Sequence, residues 1–146
     1  MYLFHIFRII RAFIKRRFHP SAQTYYVQHC SFFVNTAAFF VSHRLPIALE
    51  AMRRGYHVVL ITGKAGSAAM ESAIASKLAT AGIVHPQVDF SSVGINQVAE
   101  TVGIFQLVRH LRKLRQDILH CTTPKGIMYG GLAVRLAHNP KLVLAH

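Results

Sequence analysis

A chain of 146 residues with 52% hydrophobic and 15% charged residues has enough apolar material for one domain with its own core. It is too apolar for a disordered tail. Its 17 Lys and Arg stand against 5 Asp and Glu, a formal charge of +12 that calls for an acidic partner such as phosphate, anionic lipid or nucleic acid. The two cysteines, Cys30 and Cys121, fall in strand-like runs, which suggests reduced core residues of a cytosolic protein, and no Cys/His spacing suits zinc.

Met1–Pro20 (MYLFHIFRIIRAFIKRRFHP) is apolar and basic without an acid. His5, Arg8, Arg11, Lys15 and His19 form one helical stripe, and Leu3, Phe7, Ile10, Phe13 and Ile14 another. An amphipathic helix of this kind suits an anionic membrane interface. Arg8 and Arg11 interrupt it too early for a span, which needs ~20 apolar residues. The order of charge and apolar residues is wrong for a signal peptide, whereas a mitochondrial presequence has a similar pattern. An ordinary helix packed on the domain is the plain alternative. Ser21–Gln28 is a polar link.

His29–Val34 is a short apolar run that predicts a buried strand, ending at the polar Asn35-Thr36. Asn35–Arg44 follows as a turn, unusually apolar because it holds Ala37, Ala38, Phe39, Phe40 and Val41. Such a loop packs on a neighbour or contacts a greasy ligand. Ser42 is the expected N-cap of the next helix, with Pro46 in its first turn. Leu45, Ala48, Leu49, Met52 and Tyr56 give that helix its apolar stripe, Glu50, Arg53 and Arg54 its polar face, and Gly55 its stop. His57–Thr62 is a second buried strand, completing a parallel βαβ unit.

Lys64–Ser67 is a turn without the spacing of a P-loop. Ala69–Ala81 is a second helix, buried along Met70, Ile74, Leu78 and Ala81 and stopped at Gly82. His85–Phe90 reads as a weak edge strand because of Pro86, and Ser91–Asn96 as the polar turn at its carboxyl end. Gln97–Gln116 is a long helix with Ile104, Leu107, Val108, Leu111 and Leu114 in its core stripe. Arg109, Arg112, Lys113 and Arg115 crowd the rest, either as a solvated face or as a surface for anionic lipid. Aromatics do not interleave with these cations, so no nucleic-acid partner is expected.

Asp117–Thr122 is the fourth strand, Thr123–Gly126 a turn and Ile127–Ala137 a helix. Gly130 and Gly131 cost that helix about 1 kcal/mol each relative to Ala, which close packing against the sheet would explain. Lys141–His146 opens a fifth strand. An α/β domain seldom stops inside its last strand, so the chain reads as half of something or as a truncated reading frame. The expected fold is α/β: a Rossmann-like parallel sheet of about five strands with helices on both faces, over residues 21–146, preceded by the basic helix over 1–20.

Two segments carry a family resemblance. FFVNTAAFFVSHRLPIALEAMRRGYHVVLITG resembles the opening of family 4-type GT-B glycosyltransferases, where a strand and turn lead into S-H-R-L-P and a helix ending in G-Y-x-V. VGIN and a helix, followed by DILHCTTPKGIMYGGLAVRLA, resemble the later pattern D-x-V-H-x-x-T-x-K-P-x-x-Y-G-G-x-A-A-R-x-A. The resemblance spans about Tyr26 to His146. It departs at Pro124 and Gly126, where the family often has Ile before the lysine and Pro after it, and at Ser92 and Val93, where it often has Arg-Ser. Members have two Rossmann-like domains facing a cleft. The resemblance implies the N-terminal, acceptor-binding half, a lipid-linked or polysaccharide acceptor, and a location on the inner face of the cytoplasmic membrane. The nucleotide sugar would bind a second, donor-binding domain, so no cofactor is expected in this chain. A non-catalytic membrane-docked subunit recruiting a separate donor-binding chain, or an inactive fragment, are the alternatives. A dinucleotide-binding oxidoreductase lacks support because no G-x-G-x-x-G follows the first strand.

Ligands of open α/β sheets sit outside the carboxyl ends of the strands. The candidate acceptor-binding residues there are Asn35, His43, Arg44, Asn96, Thr123 and Lys125. Arg44, at a helix start, and Lys125 suit a phosphate. Asn35 and Asn96 suit a hydroxyl or cap a turn, and Thr123 equally suits an N-cap. His120, inside a strand, reads as a core histidine. The strand-end loops hold no carboxylate to act as a general base.

Overall fold

The computed structural model describes residues 28–64, 67–91, 97–138 and 141–144. The expected basic helix over 1–20 and the candidate Asn96 lie outside the described residues.

The chain forms β1 (His29–Val34), α1 (Ala37–His43), α2 (Leu45–Arg53), β2 (His57–Lys64), α3 (Ala68–Thr80), β3 (Gln87–Ser91), α4 (Gln97–Lys113), β4 (Ile118–Cys121), α5 (Pro124–Ala137) and β5 (Lys141–Leu144). The five strands make one sheet in the order β3-β2-β1-β4-β5, and every pairing is parallel. The β-branched and aromatic runs explain β1 and β2, which are buried on both faces as central parallel strands are. β3 is an edge strand, as Pro86 suggested. Phe32 pairs with Leu60 on one side and His120 on the other, so β1 is the centre of the sheet.

Alternation along the strands splits the core in two. Cys30, Phe32, Val34, Val58 and Leu60 face α1, α2 and α3. Phe33, Val59, Ile61, Phe90, Leu119 and Cys121 face α4 and α5. Both cysteines are buried free thiols, and burial pushes each up to about 12. Leu107, Val108 and Leu111 of α4 are buried, with Ile104 and Leu114 packed beside them, as its periodicity predicted. Gly55 and Gly82 stop α2 and α3 at φ +88° and +75°, a region open to glycine.

The apolar turn is corrected: Ala37–His43 is a helix. Thr36 caps it, its Oγ1 accepting from the Phe39 amide at 3.2 Å. Phe40 is fully buried, its ring edge-on to Phe32 with centroids 5.4 Å apart. The run therefore packs on the domain's own core. Ser42 is not an N-cap; its hydroxyl donates back to the Ala38 and Phe39 carbonyls. Arg44 joins α1 to α2, and Pro46 lies in the first turn of α2. Two expected core residues, Leu49 and Met70, are 44% and 49% exposed. Glu50 does pair with Arg53 and Arg54 on the polar side of α2.

The expected turn Thr123–Gly126 is the start of α5. Thr123 caps it, accepting from the Gly126 amide at 3.2 Å, and Pro124 occupies the first turn, where its missing N–H costs nothing. A Cβ on Gly130 would stand 2.2 Å from Cys121 Sγ, so this glycine lets α5 lie directly on β4.

Candidate functional site

The chain leaves β1 toward β2 and β3 on one side, and returns to β4 and β5 on the other. β1 and β4 therefore flank a topological switch point, where the crevice of an open α/β sheet forms. Their carboxyl ends are tied together: Thr123 Oγ1 donates to Asn35 Oδ1 at 2.7 Å. The threonine's one proton is thereby committed to Asn35 while its oxygen accepts from Gly126, so it caps α5 and holds Asn35.

Beside this bond lies a small open cleft lined by Phe33, Val34, Asn35, Gly63, Phe90, Lys125 and Tyr129. Tyr129 stacks on Phe90 with ring centroids 5.0 Å apart, and the Lys125 ammonium lies 5.8 Å from the Tyr129 centroid. Gly63 makes the floor possible, since a Cβ there would meet the Phe90 carbonyl oxygen at 2.8 Å and that of Asn35 at 3.2 Å.

Lys125 forms an ion pair with Glu100, whose side chain is 6% exposed against 22% for the lysine. The loops at the strand ends hold no carboxylate, but α4 brings one to Lys125. Its signal in the sequence was an acid on a core stripe, one turn before Ile104 and two before Leu107. Asp89 was passed over as well. It accepts from Lys64 and from Gln106, whose side-chain oxygen takes the Asp89 amide, and the Lys64 contact first holds its carboxyl below the usual range.

His43 and Arg44 do not line the cleft. His43 is exposed, stacked on Phe39 at 4.7 Å, with Nδ1 shared between Ser42 Oγ and the Phe39 carbonyl. Arg44 has its Nε buried without a hydrogen-bond partner. The structure thus brings Asn35, Thr123 and Lys125 together and sets His43 and Arg44 at the α1–α2 junction. Among the described residues, no three His, Cys, Asp or Glu side chains gather into a metal-binding group.

His120 is a core histidine, packed on Phe32 at 4.9 Å with Nδ1 3.3 Å from Thr122 Oγ1. Burial first, then the charge of Arg44, lowers it to about 4 from an ordinary 6.5. Between those values the unfolded chain binds a proton that the folded chain refuses. Stability is therefore full above pH 6.5 and falls as the pH drops toward 4. From pH 7 to 5 the expected loss is on the order of 2 kcal/mol. Urea midpoints across that range should show it, and His120→Phe should flatten the slope; an unchanged slope would contradict this assignment.

Residues 29–146 match the family model described as glycosyl transferase 4-like. The chain belongs to this family. Comparison with characterised protein sequences gives no match. Among solved structures, this glycosyl transferase 4-like domain is similar to a glycosyltransferase from Rickettsia africae (TM-score 0.61, 15% identity, 82% of this chain and 30% of that one). It is similar to MurG from Acinetobacter baumannii (TM-score 0.60, 20% identity, 80% and 34%). It is also similar to the hydratase GalB from Pseudomonas putida (TM-score 0.54, 13% identity, 77% and 55%). Identities this low establish the fold alone, a Rossmann-like half of the GT-B kind, and a fold hosts many functions. The chain spans about a third of the length of the two transferases. Among the described residues, no helix is long and apolar enough to cross a membrane.

Proposed function

We propose that this glycosyl transferase 4-like domain is the acceptor-binding half of a glycosyltransferase that moves a sugar from a nucleotide sugar to a lipid-linked or polysaccharide acceptor. The observation that carries the proposal is the cleft at the β1–β4 switch point, where Asn35, held by Thr123, and Lys125, held by Glu100, stand beside the Phe90–Tyr129 stack. An amide, an oriented cation and an aromatic wall suit a sugar ring and a phosphate. The donor would come from a second domain closing on this edge, whose contribution of proximity and charge stabilisation carries most of a transferase's rate. The work place is the inner face of the cytoplasmic membrane, held peripherally, with the basic segment 1–20 meeting anionic lipid.

The test is a pair of titrations on the whole chain, followed by amide chemical shifts. A polyprenyl-diphosphate-linked sugar in detergent micelles should shift Asn35, Thr123 and Lys125. UDP- and GDP-sugars should bind no tighter than millimolar, and no sugar should be transferred. Micromolar donor binding, turnover by the chain alone, or acceptor shifts confined to other elements would overturn the proposal.

A further inference from the structure

The amino ends of the central strands lie at the opposite edge of the sheet from the cleft, and a histidine begins each of two of them. His29 opens β1, His57 opens β2, and the parallel register pairs the two directly. Their alternation with Phe33 and Val59 puts both side chains on the α4–α5 face of the sheet. His57 is exposed and His29 half-buried. Their rings stand side by side, with centroids 5.1 Å apart and planes tilted by 45°. Among the described residues, no hydrogen bond or ion pair engages either imidazole. The backbone beneath them is fixed. The His57 amide donates to the Gln28 carbonyl and the Asp117 amide to the His29 carbonyl, each at 2.9 Å. The His29 amide donates in turn to Asp117 Oδ2 at 2.9 Å.

The spacing is that of two ligands on one ion. Zinc bound ~2.0 Å from an imidazole nitrogen lies about 3.2 Å from the ring centre, so two rings at the tetrahedral angle have centres about 5.2 Å apart. Turning a ring about its Cβ–Cγ bond swings a nitrogen toward the ion and leaves the centre nearly in place. The distance between the ring centres is therefore set by the strands, and it already has the ligating value. Two protein ligands leave the remaining positions to water, as in an open site. Chemistry also selects the ion. The formal charge of +12 opposes any dication, so charge alone holds none here. Nitrogen lone pairs favour zinc, nickel and copper, whereas magnesium and calcium need oxygen ligands. The Asp117 carboxylate on the His29 amide puts one negative charge beside the pair.

We infer that His29 and His57 form a two-histidine site for a divalent transition-metal ion of the zinc, nickel and copper class. The ion staples β1 to β2 where both strands begin. The site goes beyond the proposed function and is independent of it, because it lies at the other end of the strands from Asn35 and Lys125. Register, not sequence spacing, brings the two histidines together, so no metal motif announces them.

Calorimetric titration of the full chain with zinc chloride is the test, with magnesium chloride as the control. The tightest zinc equivalent should weaken by on the order of a hundredfold in His29→Asn and in His57→Asn alike, because the second imidazole acts at a high effective concentration. The double variant should bind no more weakly than either single one, and it gives the background of the remaining histidines. His138→Asn, exposed at the C-terminal cap of α5, should bind as the parent does. The ring nitrogens of His29 and His57 should shift together in the nuclear magnetic resonance spectrum over the first equivalent. Zinc should raise the urea midpoint of the parent and leave that of the double variant unchanged. His57 is exposed at the first position of its strand, so His57→Asn keeps the fold and its loss of zinc reports ligation. Four results would each overturn the inference: a tightest equivalent unchanged in either single variant, magnesium binding as strong as zinc binding, ring shifts confined to other histidines, or an equal rise of the urea midpoint in the double variant.

Discussion

Replacing Lys125 by methionine should destabilise the domain by about 3 kcal/mol, because it strands the Glu100 carboxylate in the core. The glutamate side chain is 6% exposed and faces the interior of α4, so water cannot take over from the ammonium. The figure sits at the lower end of what breaking a buried pair costs, since Lys125 keeps 22% of its surface in solvent. Adding Glu100→Gln to the same chain removes the stranded charge and should recover most of the loss. Urea denaturation of the two single variants and the double variant measures this. A loss below 1 kcal/mol for Lys125→Met, or a double variant no better than the single, would show that the pair is not what holds α5 to α4 at the cleft. The same pair bears on binding: with Glu100→Gln alone, the ammonium keeps its charge but loses its tether, so any phosphate contact it makes should weaken through lost orientation.

Gly130→Val should cost about 3 kcal/mol, although valine is a better helix former than glycine. The first carbon of any side chain there would lie 2.2 Å from Cys121 Sγ, with Leu119 Cδ2 3.5 Å away to block escape. The helix must then lift from β4, and the contacts of Ala133 and Ala137 behind it loosen as well. Cys121→Ala in the Gly130→Val background should restore part of the loss, since the sulfur is the first atom struck. Thermal denaturation of the single and double variants gives the comparison, and a Gly130→Val chain as stable as the parent would refute the close approach.

The sheet was legible because its central strands are written as short apolar runs between polar stops. Helix α1 was not. Five consecutive apolar residues show no period, so nothing in Ala37–Val41 separates a greasy loop from a helix that buries Ala37 and Phe40. The polar bracket of Thr36 and Ser42 was read at the wrong end: both hydroxyls serve α1, the first as its cap and the second by bonding back into its last turn. Half of the candidate site was visible for a topological reason. Once β1 and β4 are neighbours, the residues just beyond them must meet, and Asn35 and Thr123 do. Glu100 escaped because its partner lies on another element, and only the packing of α4 against α5 makes the two adjacent. His43 and Arg44 stand at the junction of α1 and α2, outside the lining of the cleft.

Strand order also sets how the chain must assemble as it is made. When Ser91 leaves the ribosome, β1 has its β2 neighbour, but its other edge faces water until β4 arrives. The closing contacts span 88 residues: the His29 amide donates to Asp117 Oδ2 and the Asp117 amide to the His29 carbonyl, each at 2.9 Å. Until then the central strand of the domain presents an open ladder, the kind of edge to which another nascent chain can add. The arrival of β4 is thus the step that closes the second edge of β1 and makes it a central strand.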